Sequence, residues 1–184
     1  MVDASLTDAH LVARCRAGEE EAWNELVNRF SRYVYGIAVQ AFRLSEPDAE
    51  DIFQECFARI YEHLDRLRDD DALRPWIGQL TRRLCIDRLR SGGREQPAEE
   101  EQLFAFADDE MSTLDEAMTV HEALATLSGD CREILDRFFA QDQSYRTIGD
   151  ALELPAGTIA SRISRCLKKL REQLQGKKPA GSSV

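Results

Sequence analysis

Hydroxyl and basic side chains near the C-terminus fall on one face of a predicted helix. The hydroxyl groups come first and can exchange hydrogen bonds with base edges, and the cations that follow can neutralise phosphates. This order predicts nucleic-acid recognition, and the alternative is an ordinary amphipathic helix with a solvated basic face. The six residues are Thr158, Ser161, Arg162, Arg165, Lys168 and Lys169.

A short helix and a tight turn come directly before this basic face. Tyr145, Ile148 and Leu152 give the short helix one apolar side, and residues 153–155 form the turn. Two helices joined by a short turn are typical of the helix-turn-helix module, whose second helix reads the major groove of duplex DNA. The second helix has its own apolar stripe, formed by Ile159, Ile163, Leu167 and Leu170.

A second basic stretch lies on a helix that we predict to begin at Pro75 and to end at Gly92. Cations on this helix could hold the backbone of an unpaired strand, as opening of a duplex requires. Residues 66–74 form the preceding loop, and aspartates occupy positions 69–71. These acids could turn away from DNA or accept hydrogen bonds from base amino groups. The polar residues of the helix are Arg82, Arg83, Asp87 and Arg90.

A third polar surface lies on a helix predicted to start near Ser45, with Pro47 in its first turn. Asp51, Gln54 and Glu55 lie on the side opposite to its apolar stripe. This acidic and amide face suits a basic protein partner, and plain solvation is the alternative.

The distribution of charge supports local binding surfaces. The net charge of −10 disfavours nucleic-acid binding at first sight. Residues 76–94 nevertheless carry five basic and one acidic side chain, and residues 156–184 carry seven and one. Between these stretches, residues 95–122 carry ten acidic side chains and no basic one. The basic footprint of a nucleic-acid binder is therefore confined to two segments.

Apolar residues recur at helical spacing in nearly every segment, which predicts an all-α fold of two small helical domains. We expect the first domain at residues 8–93, an acidic flexible linker at 94–113, a helix-turn-helix domain at 114–175 and a disordered tail at 176–184. Residues 103–106 could dock the linker on a surface.

Other classes of protein find little support. The longest apolar run is well short of a membrane span of about 20 residues, and the N-terminus lacks a signal-peptide core, so we expect a cytoplasmic protein. We expect no catalytic residue, no metal and no cofactor, because no nucleophile–base arrangement, metal-ligand spacing or phosphate-binding loop stands out. Wide spacing argues against a disulfide framework and predicts buried thiols at Cys15, Cys56, Cys85, Cys131 and Cys166.

The motifs together resemble the extracytoplasmic-function (ECF) sigma factors of the bacterial sigma-70 family. The C-terminal signature of that family matches Tyr145, Ile148-Gly149, Leu152 and the run from Pro155 to Arg162. This chain has glycine at position 149 and alanine at 160 where the family commonly has alanine and lysine. In the N-terminal half the matching segments are Asp48–Phe57, Pro75–Leu80 and Arg83–Arg90, with arginine at position 83 where asparagine is usual.

The resemblance implies a sigma-2 domain, a linker and a sigma-4 domain, which direct core RNA polymerase to a promoter without catalysis by the factor itself. Asp51, Gln54 and Glu55 would bind core polymerase. Arg82, Arg83, Asp87 and Arg90 would contact the minus-ten element, and the six residues of the C-terminal helix would contact the minus-thirty-five element. An anti-sigma factor is an implied partner. The alternative is a helix-turn-helix regulator that acts without core polymerase.

The resemblance also implies that the acidic linker passes through the polymerase near the path of the RNA. An inert tether is one alternative. Another is that the linker shields the basic faces before core binding, since such attraction acts over roughly a Debye length.

Overall fold

The computed structural model describes residues 7–93 and 97–176, and α-helices account for most of this part of the chain. The chain divides into two compact units between Glu116 and Ala117. The predicted all-α fold with two small helical domains is confirmed. The helices are α1 (Asp8–Arg16), α2 (Glu20–Gly36), α3 (Glu46–His63), α4 (Leu73–Ser91), α5 (Pro97–Ala125), α6 (Gly129–Leu135), α7 (Tyr145–Leu152) and α8 (Ala156–Gly176).

Side-chain caps begin several of these helices. The Thr7 hydroxyl accepts a hydrogen bond from the backbone N–H of His10 and starts α1. Ser45 accepts from the N–H of Asp48 and starts α3, with Pro47 in the first turn, as predicted. Ser144 caps α7 in the same way. Such caps satisfy N–H groups that have no partner within the helix.

Helices α1–α4 form the core of the first unit, which is the part of the described chain up to Glu116. Leu11, Phe30, Ile60 and Ile77 are each 0% exposed. Thr81 is the buried polar side chain among them, and its hydroxyl donates to the carbonyl of Ile77 at 2.8 Å. This internal bond lets α4 carry a hydroxyl into the core without an unsatisfied donor.

The prediction of a flexible linker at 94–113 is wrong for residues 97–113, which form the first part of α5. Apolar side chains recur here at helical spacing, and Ala107 and Met111 are buried. Phe104 lies 6.4 Å from Phe42 between ring centroids, and Leu114 lies against Gly36. Most of the acidic residues lie beside this narrow apolar stripe, and their number concealed it in the sequence. Residues 94–96, and the predicted tail from 177 onward, lie outside the described residues.

Helices α6–α8 form the core of the second unit around Ile134, Ile148, Ile159 and Ile163. Cys131 of α6 and Cys166 of α8 form a disulfide, with their Cα atoms 5.5 Å apart. The prediction of thiols is therefore wrong for this pair. The two cysteines are 35 residues apart in sequence, so only the packing of α6 against α8 brings them together.

The other three cysteines are free and buried, as predicted. Burial raises the pKa of Cys15 and of Cys56 to about 11, and that of Cys85 to about 12. These thiols stay protonated near neutral pH and behave as small hydrophobic side chains.

Candidate polymerase and nucleic-acid interfaces

Helices α7 and α8 form the predicted helix-turn-helix. Glu153 ends α7 in the left-handed conformation, with φ of 55°. The N–H of Leu154 then donates to the carbonyl of Gly149 at 2.8 Å and closes the turn. Ile148 and Ile159 are both 0% exposed, so each helix presents an apolar residue to the domain core. The turn and these contacts fix the direction in which α8 leaves the module.

Gly149, which replaces the alanine common in the family, lies at a close approach of two backbone segments. A Cβ atom at this position would overlap the carbonyl oxygen of Leu154. Backbone atoms cannot rotate out of the way as the end of a side chain can, so the turn itself must shift to accept a methyl group.

We expect the substitution Gly149→Ala to lower the free energy of unfolding of the second unit by about 1–3 kcal/mol through overpacking. Gly157→Ala is the matched control, because a Cβ atom at position 157 would have no neighbour within 4 Å. Chemical denaturation of both variants measures the difference. Equal stability of the two variants would show that the turn absorbs the methyl group without cost.

The six predicted residues of α8 share one face of the helix in the structure. Ser161, Arg165, Lys168 and Lys169 are exposed, whereas Thr158 and Arg162 are partly buried. Arg165 donates from Nε to the carbonyl of Ser161 at 3.3 Å. Among the described residues, none of the four cations on this face forms an ion pair. The face is therefore positive and open to phosphates.

The four predicted residues of α4 are also placed on one helix, but two of its cations have acidic partners on α5. Arg82 binds Asp108 through two hydrogen bonds of 2.7 and 3.3 Å, and Arg90 binds Glu100 at 2.7 Å. Asp87 and Arg83 are exposed and have no ion-pair partner in residues 7–93 and 97–176. The charge pattern alone did not predict these pairs.

The three predicted residues of α3 are exposed, and the two carboxylates are partly compensated. Arg88 of α4 donates to Asp51 at 3.1 Å, and Arg59 donates to Glu55 at 2.7 Å. Arg88 also donates from Nε to Asp48 at 2.9 Å, and this bond, with that from Ser45, lowers the pKa of Asp48. Glu55 and Arg59 are four residues apart on one helix, whereas the pair of Arg88 with Asp51 joins two helices and does not follow from local spacing.

The loop of three aspartates is held by an arginine of α1. Arg16 donates to the carboxylate of Asp70 at 2.8 Å and to the carbonyls of Leu64 and Leu67 at 3.1 and 2.7 Å. Asp69 accepts from the N–H of Asp71 at 3.1 Å. Two of the three carboxylates thus serve the loop itself, which favours the interpretation that they turn away from DNA.

Within the described residues, no group of three or more histidine, cysteine, aspartate or glutamate side chains is placed to hold a metal ion. The helices of this part of the chain are also too short or too polar to cross a membrane.

Two family models match the chain in order. The model of sigma-70 region 2 matches residues 26–95, and that of sigma-70 region 4 matches residues 123–172, which together exceed half of the sequence. Both match segments that carry the surfaces described above: α3 and α4 in the first, α7 and α8 in the second.

Two relatives in sequence agree with this assignment. The RNA polymerase sigma-H factor of Pseudomonas aeruginosa is 28% identical over 182 residues, which cover 91% of this chain and 94% of that protein. The ECF RNA polymerase sigma-E factor of Haemophilus influenzae is 25% identical over 184 residues, covering 92% and 96%. The solved structure of CnrH in complex with the cytosolic domain of CnrY matches with a TM-score of 0.42 and 23% identity, covering 96% of this chain and 100% of that one. On the family models and the two relatives, the chain belongs to the extracytoplasmic-function group of the sigma-70 family and is an RNA polymerase sigma factor for promoter-specific transcription initiation.

Proposed function

We propose that residues 8–93 act as the sigma-2 domain and residues 114–175 as the sigma-4 domain, and that each uses the surfaces identified above. The observation that carries this proposal is the presence, in one chain, of an exposed acidic face on α3 and of basic faces on α4 and α8. A regulator that only binds duplex DNA needs the basic face of α8 and has no use for the acidic face of α3.

The acidic face of α3 docks on core polymerase in this proposal. Asp51 and Glu55 supply negative charge, and Gln54 supplies an amide that can both donate and accept hydrogen bonds. Complementary charge steers the encounter with a basic partner surface and fixes its register. Arg88 and Arg59 hold the two carboxylates in the free protein and limit their freedom before docking.

The face of α8 reads the minus-thirty-five element as duplex DNA. Thr158, Ser161 and Arg162 lie in the first two turns of the helix, where the recognition helix of this module reaches base edges. Arg165, Lys168 and Lys169 follow in the sequence and can neutralise phosphates. Each such contact favours binding because it releases counterions that are condensed on the DNA. We expect Arg162→Ala to reduce discrimination among upstream elements.

Removal of Arg165 or Lys168 is expected to weaken binding of the upstream element uniformly across sequences. Each alanine variant should reduce the slope of log affinity against log salt by about 0.9 if one phosphate contact is lost. Arg132→Ala is the control, since the exposed Arg132 belongs to α6 and not to this face of α8. Fluorescence anisotropy over a salt series measures the slopes. Slopes equal to that of the parent in the first two variants would show that these cations do not touch phosphate.

The basic face of α4 holds the unpaired strand of the minus-ten element. Arg82, Arg83 and Arg90 supply cations for the strand backbone, and Asp87 can accept a hydrogen bond from a base amino group.

The factor itself carries out no catalysis, since polymerisation belongs to core polymerase. It works in the cytoplasm, where a bacterial polymerase and its promoters are found, and an anti-sigma factor that covers these faces would hold it inactive.

A helix-turn-helix regulator that acts without core polymerase is the second candidate, supported by the unpaired cations of α8. Footprinting of a promoter duplex with the chain, with and without core polymerase, separates the two. The sigma factor requires core for protection and opening of the minus-ten region. Equal protection by the chain alone would favour the regulator.

A further inference from the structure

Helix α5 lies on the face of α4 that we assign to the minus-ten strand. Asp108 pairs with Arg82 and Glu100 pairs with Arg90, at 2.7 Å in each case. The ring of Phe104 lies between these two pairs, with its centroid 5.7 Å from the guanidinium carbon of Arg82 and 5.8 Å from that of Arg90. Two of the three cations assigned to the strand are therefore occupied by residues of the same chain.

The same segment of α5 is fastened to the first unit at several further points. The hydroxyl of Tyr33 donates to the carboxylate of Asp115 at 2.6 Å, and Arg74 donates to the carbonyl of Asp115 at 3.2 Å. The guanidinium of Arg43 lies 4.5 Å from the ring centroid of Phe106. These contacts, together with the buried side chains of Ala107 and Met111, make residues 100–115 a packed part of the unit.

The chemistry of this segment matches that of a single nucleic-acid strand. Glu100, Phe104 and Asp108 follow one another at intervals of four residues and so share one face of α5. Their order is carboxylate, aromatic ring, carboxylate. An unpaired strand offers an arginine-rich surface the same groups, with phosphates in place of the carboxylates and a base in place of the ring.

We propose that residues 100–108 of α5 mask the minus-ten surface in the free factor and must leave α4 before an unpaired promoter strand can bind. This inference rests on the proposed function of α4. The promoter strand and residues 100–108 compete for Arg82 and Arg90. The free factor therefore binds single-stranded nucleic acid weakly, and the minus-ten surface becomes accessible when α5 leaves α4.

The double substitution Glu100→Gln and Asp108→Asn tests the mask in the full-length protein. Both changes keep the shape of the side chain and remove its charge, so α5 retains its helix-forming residues. The control is Glu101→Gln with Asp109→Asn, which changes the net charge equally at exposed neighbouring positions that have no described ion pair. Fluorescence anisotropy with a short fluorescein-labelled single-stranded DNA measures affinity at fixed salt.

We expect the Glu100→Gln, Asp108→Asn protein to bind this DNA about 5–30 times more tightly than the control, because the two ion pairs that hold α5 on α4 are lost. Equal affinities of the two proteins would overturn the mask. The proposed function is read separately, from the core-dependent footprint of the parent chain. A core-dependent footprint with equal affinities rejects the mask alone, and failure of core to produce the footprint rejects the proposed function.

Discussion

Replacement of Asp51 and Glu55 by lysine is expected to abolish promoter-dependent transcription by the reconstituted polymerase. The two changes reverse the charge of the α3 face that we assign to docking. Loss of one partner of a buried interfacial charge pair costs about 2–5 kcal/mol, so two reversals should weaken core binding on the order of 100-fold or more. Binding to core is measured by titration of labelled factor, and transcription by run-off product.

Local effects of these substitutions need a matched control, because both carboxylates have partners in the free protein. Lysine at position 51 would face Arg88, and lysine at position 55 would face Arg59. Glu20→Lys with Glu21→Lys produces the same change in charge on exposed residues of α2, outside this face. Only the first double variant should lose core binding, and both should retain duplex binding by α8. Transcription at the parent level from the Asp51, Glu55 variant would contradict the docking assignment.

Reduction of the Cys131–Cys166 disulfide is expected to produce the largest change in stability. The bond closes a loop between residues 35 apart in sequence and so restricts the unfolded chain. A native bond over a loop of this size typically contributes about 2–4 kcal/mol. For a domain of this size that corresponds to a fall in melting temperature of roughly 10–30 °C. Disulfides are rare in a reducing compartment such as the cytoplasm. The melting temperature therefore depends on whether the sample contains the Cys131–Cys166 bond or two free thiols.

Melting curves of the second unit with and without reductant measure this effect. Cys131→Ala with Cys166→Ala is the control, since this variant should melt at one temperature under both conditions. Thiol titration of the unfolded, oxidised parent should detect the three free cysteines, Cys15, Cys56 and Cys85. Five reactive thiols and a melting temperature that does not respond to reductant would contradict the presence of the bond.

Local patterns in the sequence predicted the all-α fold, its two small domains and the helix-turn-helix. The helix start at Ser45 and the helix-turn-helix follow from residues within a few positions of one another. Membership of the family follows from motifs of the same kind, and the family models confirm it. Which side chains touch core or DNA remains a prediction, because the structure shows the exposed faces without their partners.

Features that depend on distant parts of the chain could not be predicted in this way. The disulfide joins two helices whose packing no local pattern specifies. The helix at residues 97–113 was hidden because acidic composition usually indicates an unstructured linker, whereas here Phe104, Ala107, Met111 and Leu114 supply a narrow apolar stripe. Arg88 lies in the basic stretch of residues 76–94, and only the packing of α4 on α3 brings it to Asp48 and Asp51.

Run-off transcription of genomic DNA by core polymerase, with and without the purified chain, tests the central claim most directly. The account predicts a limited set of transcripts that require the chain and share an upstream and a minus-ten element. The set should be lost with the Asp51→Lys, Glu55→Lys variant and kept with the Glu20→Lys, Glu21→Lys control. Transcripts that do not depend on the chain, or that both variants support equally, would contradict the account.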